Sequence, residues 1–248
     1  MKTIVFGDIH GRDIWKYIQI KHADADRFIF LGDYVSTHER DITEDMQIQC
    51  VKDILDFAEH KNNEKPGTVI LLRGNHDMQH LGYYWAECSG RFMHVQKWMM
   101  DNEERFLKNT QWLFVNDGIV YVHAGVTKTW MQRNGLTDIN EINNLEPSEK
   151  FGFTPCKLSD YCGDSKTQPP TWIRPWSFFE DSFGEYTYIV GHTTTKHVNN
   201  VKEEILGTEW GRTMYDHFKD KNVVWTCDSL GSGEYMIVED GKISIGKI

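Results

Sequence analysis

The sequence predicts an α/β fold, because strand-like runs alternate with stretches of helical periodicity and the chain ends in a hairpin pattern. Five short apolar runs each end in a compact cluster built from Gly, Asp, His or Asn. They are residues 4–6, 28–31, 69–72, 119–122 and 188–190. In α/β sheets, ligands bind beyond the carboxyl ends of the strands, so we expect the five clusters to converge on one crevice.

Helices are predicted between these strands. Residues 12–21 and 43–60 carry apolar side chains at near-helical spacing, and the second stretch provides the crossover between the second and third strands. Residues 78–106 are predicted to be helical in two pieces, separated near Ser89-Gly90.

Two β-hairpins are predicted from residues that are typical of tight turns. Residues 112–115 and 119–122 are joined through Asn116-Asp117-Gly118, and residues 235–238 and 242–245 turn through Asp240-Gly241. The fourth polar cluster, which begins at His123, directly follows the second strand of the first hairpin.

An irregular segment lies between about residues 146 and 175. It lacks periodicity and contains five of the six prolines. A long segment without regular structure in a compact enzyme is usually functional, so residues 146–175 are predicted to form a specificity loop or a lid.

The polar clusters contain two carboxylates, one carboxamide and three imidazoles: Asp8, Asp33, Asn75, His10, His123 and His192. This set is too rich in anionic oxygen for a structural zinc site made of thiolates, and too rich in nitrogen for a calcium cage. It suits two ions that share a bridging carboxylate. Such ions, roughly 3.5–4 Å apart, hold the attacking and leaving oxygens of an in-line displacement at phosphorus. The residues predict a phosphoester hydrolase.

The five clusters, in order from residue 7 to residue 192, resemble the motifs of the calcineurin-like metallophosphoesterases. A weaker motif over residues 225–233 resembles the last strand of that family. The similarity is to the branch with the protein Ser/Thr phosphatases, the phage-lambda type phosphatase and the symmetrical diadenosine tetraphosphate hydrolases. It implies a metallophosphoesterase fold, in which two mixed β-sheets pack as a central sandwich flanked by helices. We expect residues 1–248 to form a single catalytic domain.

The resemblance also implies a role for each donor. The ligands of the first metal, the bridging carboxylate and the ligands of the second metal are, in that order, Asp8 and His10, Asp33, and Asn75, His123 and His192. His76 matches the general acid that protonates the leaving alkoxide, while a metal-bound hydroxide attacks phosphorus. We expect two divalent ions, with Mn²⁺ first and Fe or Zn²⁺ in reserve.

The second motif departs from its relatives. Protein phosphatases of this branch usually read Gly-Asp-x-Val-Asp-Arg-Gly, whereas residues 32–38 read Gly-Asp-Tyr-Val-Ser-Thr-His. Ser36 offers His76 no carboxylate partner, and Thr37 offers the phosphate no charge. Residues 39–41, which include Arg40, are the nearest candidates to replace both groups.

The last motif lacks the second histidine of Gly-His-x-His, which argues against the phosphodiesterase branch. Just before it, residues 172–174 resemble a Trp-x-Arg element whose arginine contacts phosphate. We therefore predict Arg174 as a substrate-binding residue, together with Arg73 and Arg40. For Arg73 the alternative is that it braces its loop through backbone carbonyls.

The net charge, the cysteine pattern and the apolar runs limit which binding partners and which cellular compartment we expect. The formal charge of −10 disfavours extended nucleic-acid binding, although two divalent cations would attract phosphate locally. The five cysteines form no CxxC pattern, which suits a reducing compartment. The sequence shows no signal peptide and no apolar run long enough to span a membrane, so a cytoplasmic enzyme without a membrane partner is expected.

Three functions remain open. The leading hypothesis is a phosphomonoesterase of the Ser/Thr protein phosphatase type, acting on phosphoproteins or small phosphoesters. The second is a nucleotide or RNA-end phosphohydrolase, for example one that cleaves diadenosine tetraphosphate; Asp77, where protein phosphatases usually have Glu, favours it slightly. The third is a non-catalytic binding module that keeps the fold. Motifs alone do not separate the first two.

Overall fold

The computed structural model describes residues 1–37, 39–83, 90–156, 163–194 and 224–248, and the backbone of residues 199–200. Its first sheet contains the strands β1 (Lys2–Phe6), β2 (Arg27–Phe30), β3 (Val69–Leu72), β4 (Thr110–Gln111), β10 (Glu234–Glu239) and β11 (Lys242–Lys247). Their order is β11-β10-β1-β2-β3-β4. The run from β1 to β4 is parallel, and β10 pairs antiparallel with both β1 and β11.

The second sheet contains β5 (Leu113–Asn116), β6 (Ile119–Val122), β7 (Thr187–Val190), β8 (Asn199–Asn200) and β9 (Val224–Thr226), in the order β5-β6-β7-β9-β8. Its central strands β6, β7 and β9 are parallel, whereas β5 and β8 pair antiparallel with their neighbours. Both sheets are therefore mixed, as the family resemblance implied.

The described helices are α1 (Ile14–Lys21), α2 (Glu44–Glu64), α3 (Asn75–His80), α4 (Met93–Asp101), α5 (Glu103–Asn109), α6 (Lys128–Arg133) and α7 (Pro175–Asp181). Short 3₁₀ turns lie at Ile139–Asn144, Glu149–Phe151 and Leu230–Ser232. The longest helix, α2, begins after Thr43, whose hydroxyl accepts a hydrogen bond from the Met46 N–H at 3.2 Å. This cap satisfies one of the free donors in the first turn of α2.

The layers follow from the alternation of side chains along each strand. In β1, Ile4 and Phe6 are buried in a cluster that also contains residues of α1 and α2. Val5, between them, is buried in a second cluster with Tyr121 and Ile189 of the other sheet. Both faces of β1 are thus covered, which explains why its sequence is a continuous apolar run and not an alternating one.

Most elements agree with the sequence prediction. The five strand runs and both hairpins are confirmed, with changes of one or two residues at their ends. The stretch 78–106 differs, because α3 ends at His80 and a further break at Asn102 separates α4 from α5. Asn102 ends α4 with a side-chain hydrogen bond to the Trp98 carbonyl at 2.9 Å, and two glutamates then begin α5. The predicted break at Ser89 lies outside the described residues.

Candidate active site

The predicted donors lie where the strands end. Asp8 and His10 follow β1, Asp33 follows β2, and Asn75 begins α3 directly after β3. The other two donors, His123 and His192, follow β6 and β7 of the second sheet. Since the parallel strands of both sheets end on the same side, the fold brings all six side chains to one crevice.

Two groups of donor atoms form within this crevice. One group is Asp8, His10 and Asp33, and the other is Asp33, His123 and His192; in each, the donor atoms lie within 4.8 Å of one another. The carboxamide of Asn75 joins the second group, with its Oδ1 at 2.8 Å from His123 Nε2 and 3.0 Å from His192 Nδ1. Asp33 is common to both groups. That is the arrangement a bridging carboxylate requires.

Each histidine of the two groups is oriented through its other ring nitrogen. His10 Nδ1 lies 2.8 Å from the Val35 carbonyl, and His123 Nδ1 lies 2.8 Å from the Leu31 carbonyl. His192 Nε2 lies 3.2 Å from the Trp172 carbonyl. Donation to a backbone carbonyl fixes the tautomer and leaves the remaining nitrogen to face the crevice, as metal-binding histidines commonly do. The donor set therefore fits metal ions.

Three of the donors have left-handed backbone conformations. The φ angles are 48° at His10, 51° at Asp33 and 61° at His192. Such angles are uncommon outside glycine and cluster at functional sites, where the surrounding structure holds them. Here the His10 N–H donates to the Asp33 carbonyl at 2.7 Å, and the His192 N–H donates to the Asp8 carboxylate at 3.0 Å.

Two glycines let the loops approach the carboxylates. A Cβ on Gly74 would lie 2.1 Å from Asp33 Oδ1, and a Cβ on Gly191 would lie 2.2 Å from Asp8 Oδ1. Any larger residue would displace the carboxylate. These motif glycines therefore act by making room for the donors.

The charges of the crevice favour a bound cation. Burial lowers the pKa of His123, but Asp33 and Asp8 raise it more strongly, so that its pKa is raised to about 10. Burial and the neighbouring carboxylates raise the pKa of Asp8 above its usual range. The carboxylates that favour a proton on His123 would equally stabilise a metal cation bound there instead of the proton.

His76 lies at the edge of the two donor groups. Its N–H donates to Asp33 Oδ1 at 2.9 Å, and its ring Nε2 lies 3.9 Å from Asp33 Oδ2. Burial lowers the pKa of His76 to about 4. Its Nδ1 is buried and has no hydrogen-bond partner in the part of the chain that the structure describes. No described carboxylate contacts His76 Nδ1, and the role of His76 as the acid stays a prediction.

The loop after β2 contains the second motif, which departs from the family pattern. The described contacts of its candidate replacement residues do not give His76 a carboxylate partner. Ser36 is fully buried with φ 70°, and its hydroxyl has no partner among the described residues. The Glu39 carboxylate is occupied by Arg12, whose Nε donates to it at 2.6 Å. Arg40 is exposed. The loop after β2 is thus tied to the loop after β1, because Arg12 also donates to the Asp8 and Ile9 carbonyls at 3.3 Å.

The other two predicted arginines occupy different positions. Arg174 Nη1 donates to the His192 carbonyl at 3.1 Å and to Thr193 Oγ1 at 3.2 Å, while its buried Nε has no partner among the described residues. Arg73 donates to Thr110 and to the Leu107 carbonyl, and its guanidinium lies over the Trp112 ring at 4.8 Å. Arg73 therefore braces its loop, and its contact with substrate stays a prediction.

Sequence reasoning did not place two buried carboxylates, Asp77 and Asp228, among the residues of the site. Asp228 follows β9 and raises the pKa of Asp8, and burial raises its own pKa. Asp77 accepts backbone hydrogen bonds from Asp33, Tyr34 and Gly74 at 2.8–2.9 Å, and so joins the second and third motifs. Asp228 repeats the pattern of a strand followed by a polar cluster, and that signal was available in the sequence.

The model of the calcineurin-like phosphoesterase family matches residues 1–225. The chain belongs to this family. Its members are metal-dependent, which agrees with the donor chemistry of the crevice. In the part of the chain that the structure describes, no helix is long and apolar enough to cross a membrane.

One relative is the serine/threonine-protein phosphatase 2B catalytic subunit A2 of Saccharomyces cerevisiae. It is 28% identical to this chain over 156 residues. The match covers 60% of this chain and 23% of that protein, so the chain spans about a quarter of the relative's length.

Two solved structures are similar across the whole chain. A protein serine/threonine phosphatase of Saccharomyces cerevisiae has a TM-score of 0.53 at 14% identity, over 100% of this chain and 79% of the other. A metallophosphoesterase of Sphaerobacter thermophilus has a TM-score of 0.46 at 14% identity, over 100% of this chain and 88% of the other. The first of these supports the fold.

Proposed function

We propose that the protein is a phosphomonoesterase of the Ser/Thr protein phosphatase type that uses two metal ions. The observation that carries this proposal is the pair of donor groups that share Asp33. Two adjacent sites of this kind suit the in-line displacement of an oxygen at phosphorus. Ser/Thr phosphatases among the relatives support the same reaction class.

The residues divide into two metal sites. Asp8, His10 and Asp33 would hold the first ion, and Asn75, His123 and His192 would hold the second together with Asp33. The bound ions would supply Lewis acidity that lowers the pKa of a water nucleophile and neutralises the charge of the phosphate. Because the donors mix oxygen and nitrogen, Mn²⁺ is the first choice, with Fe or Zn²⁺ next.

His76 is the proposed general acid. Its ring lies beside Asp33, with Nε2 3.9 Å from Asp33 Oδ2, and would donate a proton to the leaving alkoxide. Burial keeps the free imidazole neutral at pH 7, since its pKa is lowered to about 4. A phosphate dianion bound against the ring would raise that pKa, because the opposite charge stabilises the imidazolium. Substrate binding would therefore favour protonation of His76, against the repulsion of the two bound cations.

Arg174 is the proposed phosphate-binding residue. The hydrogen bonds of its Nη1 to His192 and Thr193 fix the guanidinium next to the second metal site. A guanidinium held in this way would offer the phosphate charge-assisted hydrogen bonds from Nη2, since its Nε is buried.

One assay tests the proposal against its alternatives. Purified protein with Mn²⁺ would be given a phosphoserine peptide, a 3′-phosphorylated oligonucleotide and diadenosine tetraphosphate, with the Asp33→Asn variant as the inactive control. Turnover would be measured as loss of each substrate, and fastest turnover of the peptide supports the proposal. Preference for either nucleotide substrate would favour the nucleotide or RNA-end phosphohydrolase. Absence of turnover on all three would favour the non-catalytic binding module.

A further inference from the structure

The loop after β2 wraps around the loop that carries His10. The carbonyls of Asp33 and Tyr34 accept backbone hydrogen bonds from residues 9–11 at 2.7–3.0 Å. The next carbonyl, that of Val35, accepts from His10 Nδ1 at 2.8 Å. Three successive carbonyls of one loop therefore bind the other loop, and the last of these hydrogen bonds is the one that orients the His10 ring.

The peptide group between Val35 and Ser36 connects His10 to helix α2. Its carbonyl accepts from His10 Nδ1, and its N–H, which belongs to Ser36, donates to Gln47 Oε1 at 2.8 Å. Because an N–H needs an acceptor, the oxygen of the Gln47 amide and not the nitrogen faces Ser36. Hydrogen bonds in such a series polarise one another, so donation to Gln47 strengthens the Val35 carbonyl as an acceptor for His10.

The side chain of Gln47 is held in place for this contact. It is 0% exposed and packs against Gly11, where a Cβ would lie 2.7 Å from Gln47 Cγ. Its buried Nε2 has no partner among the described residues, so within that part of the chain the bond from Ser36 is the one hydrogen bond of this side chain. Ser36 has a φ of 70°, an angle that a residue with a side chain keeps only where its surroundings hold it. The Gln47 acceptor provides such a hold.

We propose that Gln47 is a positioning residue for the first metal site, which orients His10 through the peptide group between Val35 and Ser36 and thereby raises the affinity of that site for a divalent cation. This inference rests on the two metal sites of the proposed function. Groups that hydrogen-bond a ligand histidine fix its tautomer and ring orientation, and their loss typically weakens metal binding by roughly 10- to 100-fold. The direct partner of His10 is a backbone carbonyl, which no substitution removes. The side chain one hydrogen bond further away is therefore the group that can be tested.

The test measures binding of Mn²⁺ alone to metal-free protein. Calorimetric titration of the wild type should show two ions. Gln47→Met, which is similar in size but offers only a weak acceptor, should bind one of them roughly 10- to 100-fold more weakly. Gln47→Glu should keep the wild-type affinity, because it retains the oxygen acceptor and gives up only an Nε2 without a described partner. Gln49→Met is the matched control, since Gln49 is an exposed residue of the same helix.

A double-mutant cycle shows whether Gln47 acts through His10. In His10→Ala the first site has already lost its imidazole, so the addition of Gln47→Met should not weaken Mn²⁺ binding further. An equal loss in both backgrounds would mean that Gln47 only stabilises the fold, and would overturn the proposal. Binding of the second ion reports in the same titration that the crevice is folded. If Gln47→Met binds neither ion, Gln47→Asn, which withdraws the acceptor by one methylene, takes its place in the cycle.

Activity measurements separate this inference from the proposed function. The wild type, Gln47→Met and Gln47→Glu would be assayed on a phosphoserine peptide over a range of Mn²⁺ concentrations. A higher half-maximal Mn²⁺ concentration in Gln47→Met, with kcat restored at saturating Mn²⁺, supports the positioning role. If the wild type is inactive on the peptide but the titrations show the expected loss in Gln47→Met, the positioning role stands and the phosphatase proposal fails. Equal Mn²⁺ affinities of the wild type and Gln47→Met would overturn the positioning role, whatever the activity.

Discussion

At the scale of single residues, the site depends on donors whose local conformations are costly. His10, Asp33 and His192 all have positive φ, which is sparsely populated for residues with a side chain. Backbone hydrogen bonds between the loops hold these conformations. The roles proposed for individual residues make separable predictions, since metal binding, proton donation and phosphate binding have different readouts.

The first prediction concerns the shared carboxylate. Asp33→Asn should abolish phosphatase activity and lower the content of bound metal, because Asp33 contributes to both donor groups. Activity and metal analysis of the purified variant would be compared with His94→Asn, which changes an exposed histidine outside the site. Less than one divalent ion per active wild-type chain would contradict a two-metal site.

The second prediction concerns the acid. His76→Asn should lower turnover by roughly 10²–10⁴-fold while the metal content stays unchanged, since general acid catalysis contributes about this much. The loss should shrink for nitrophenyl phosphate, whose leaving group needs little protonation. An equal loss for good and poor leaving groups would argue against proton donation.

The third prediction compares two arginines. Arg174→Ala should lower kcat/KM by roughly 10²-fold, which is typical for loss of a charged contact to a reacting group. Arg40→Ala should have a smaller effect, because Arg40 is exposed, whereas Arg174 is anchored to His192 and Thr193. Steady-state kinetics of the two variants would decide, and a larger loss for Arg40→Ala would reverse the assignment.

At the scale of elements, the loop after β2 distinguishes this chain from the protein phosphatases it resembles. Ser36 replaces the usual carboxylate, and the nearby Glu39 is paired with Arg12 instead of His76. The loop is also held by the Ser36 N–H, which donates to Gln47 of α2 at 2.8 Å. The loop is therefore well anchored, yet it leaves His76 Nδ1 without a described partner.

The fourth prediction tests whether this loop is a weakened form of the common site. The double variant Ser36→Asp/Thr37→Arg should raise turnover of a phosphoserine peptide, because a carboxylate at position 36 would stabilise the His76 imidazolium and an arginine at position 37 would bind phosphate. Kinetics and a thermal melt would be recorded together. A correctly folded double variant with lower activity would show that the loop serves a different substrate.

At the scale of the whole molecule, the site joins the two sheets, since its donors come from strands of both. Asp8, Asp33 and Asp228 are buried close enough to influence one another's pKa values. Cations bound between the sheets would relieve this repulsion and would bind only the folded state.

The fifth prediction follows from that linkage. Adding Mn²⁺ at about 100 times its Kd to metal-free protein should stabilise the fold by about 2.7 kcal/mol for each ion, so two ions should raise Tm by roughly 10–20 °C for a chain of this size. Differential scanning calorimetry would measure the shift. Asp33→Asn should show a much smaller increase, and an equal increase in that variant would mean that the ions stabilise the protein elsewhere.

The sequence by itself determined the fold class and the identity of the candidate donors. Both depend on local patterns: an apolar run predicts a strand, and a polar cluster just after it lies at the strand's carboxyl end. Asp8, Asn75 and His192 could be identified in this way without coordinates, because the general geometry of parallel sheets brings such positions together.

The tertiary structure alone decided which side chains pair. Arg12 and Glu39 are 27 residues apart and meet at 2.6 Å, and the Gln47 side chain of α2 meets the Ser36 N–H at 2.8 Å. Such contacts depend on how far each loop reaches after its strand, which varies with the packing of neighbouring elements. Local sequence carries no record of those distances, so the partner of Glu39 and the contact of Gln47 with Ser36 emerged only from the folded chain.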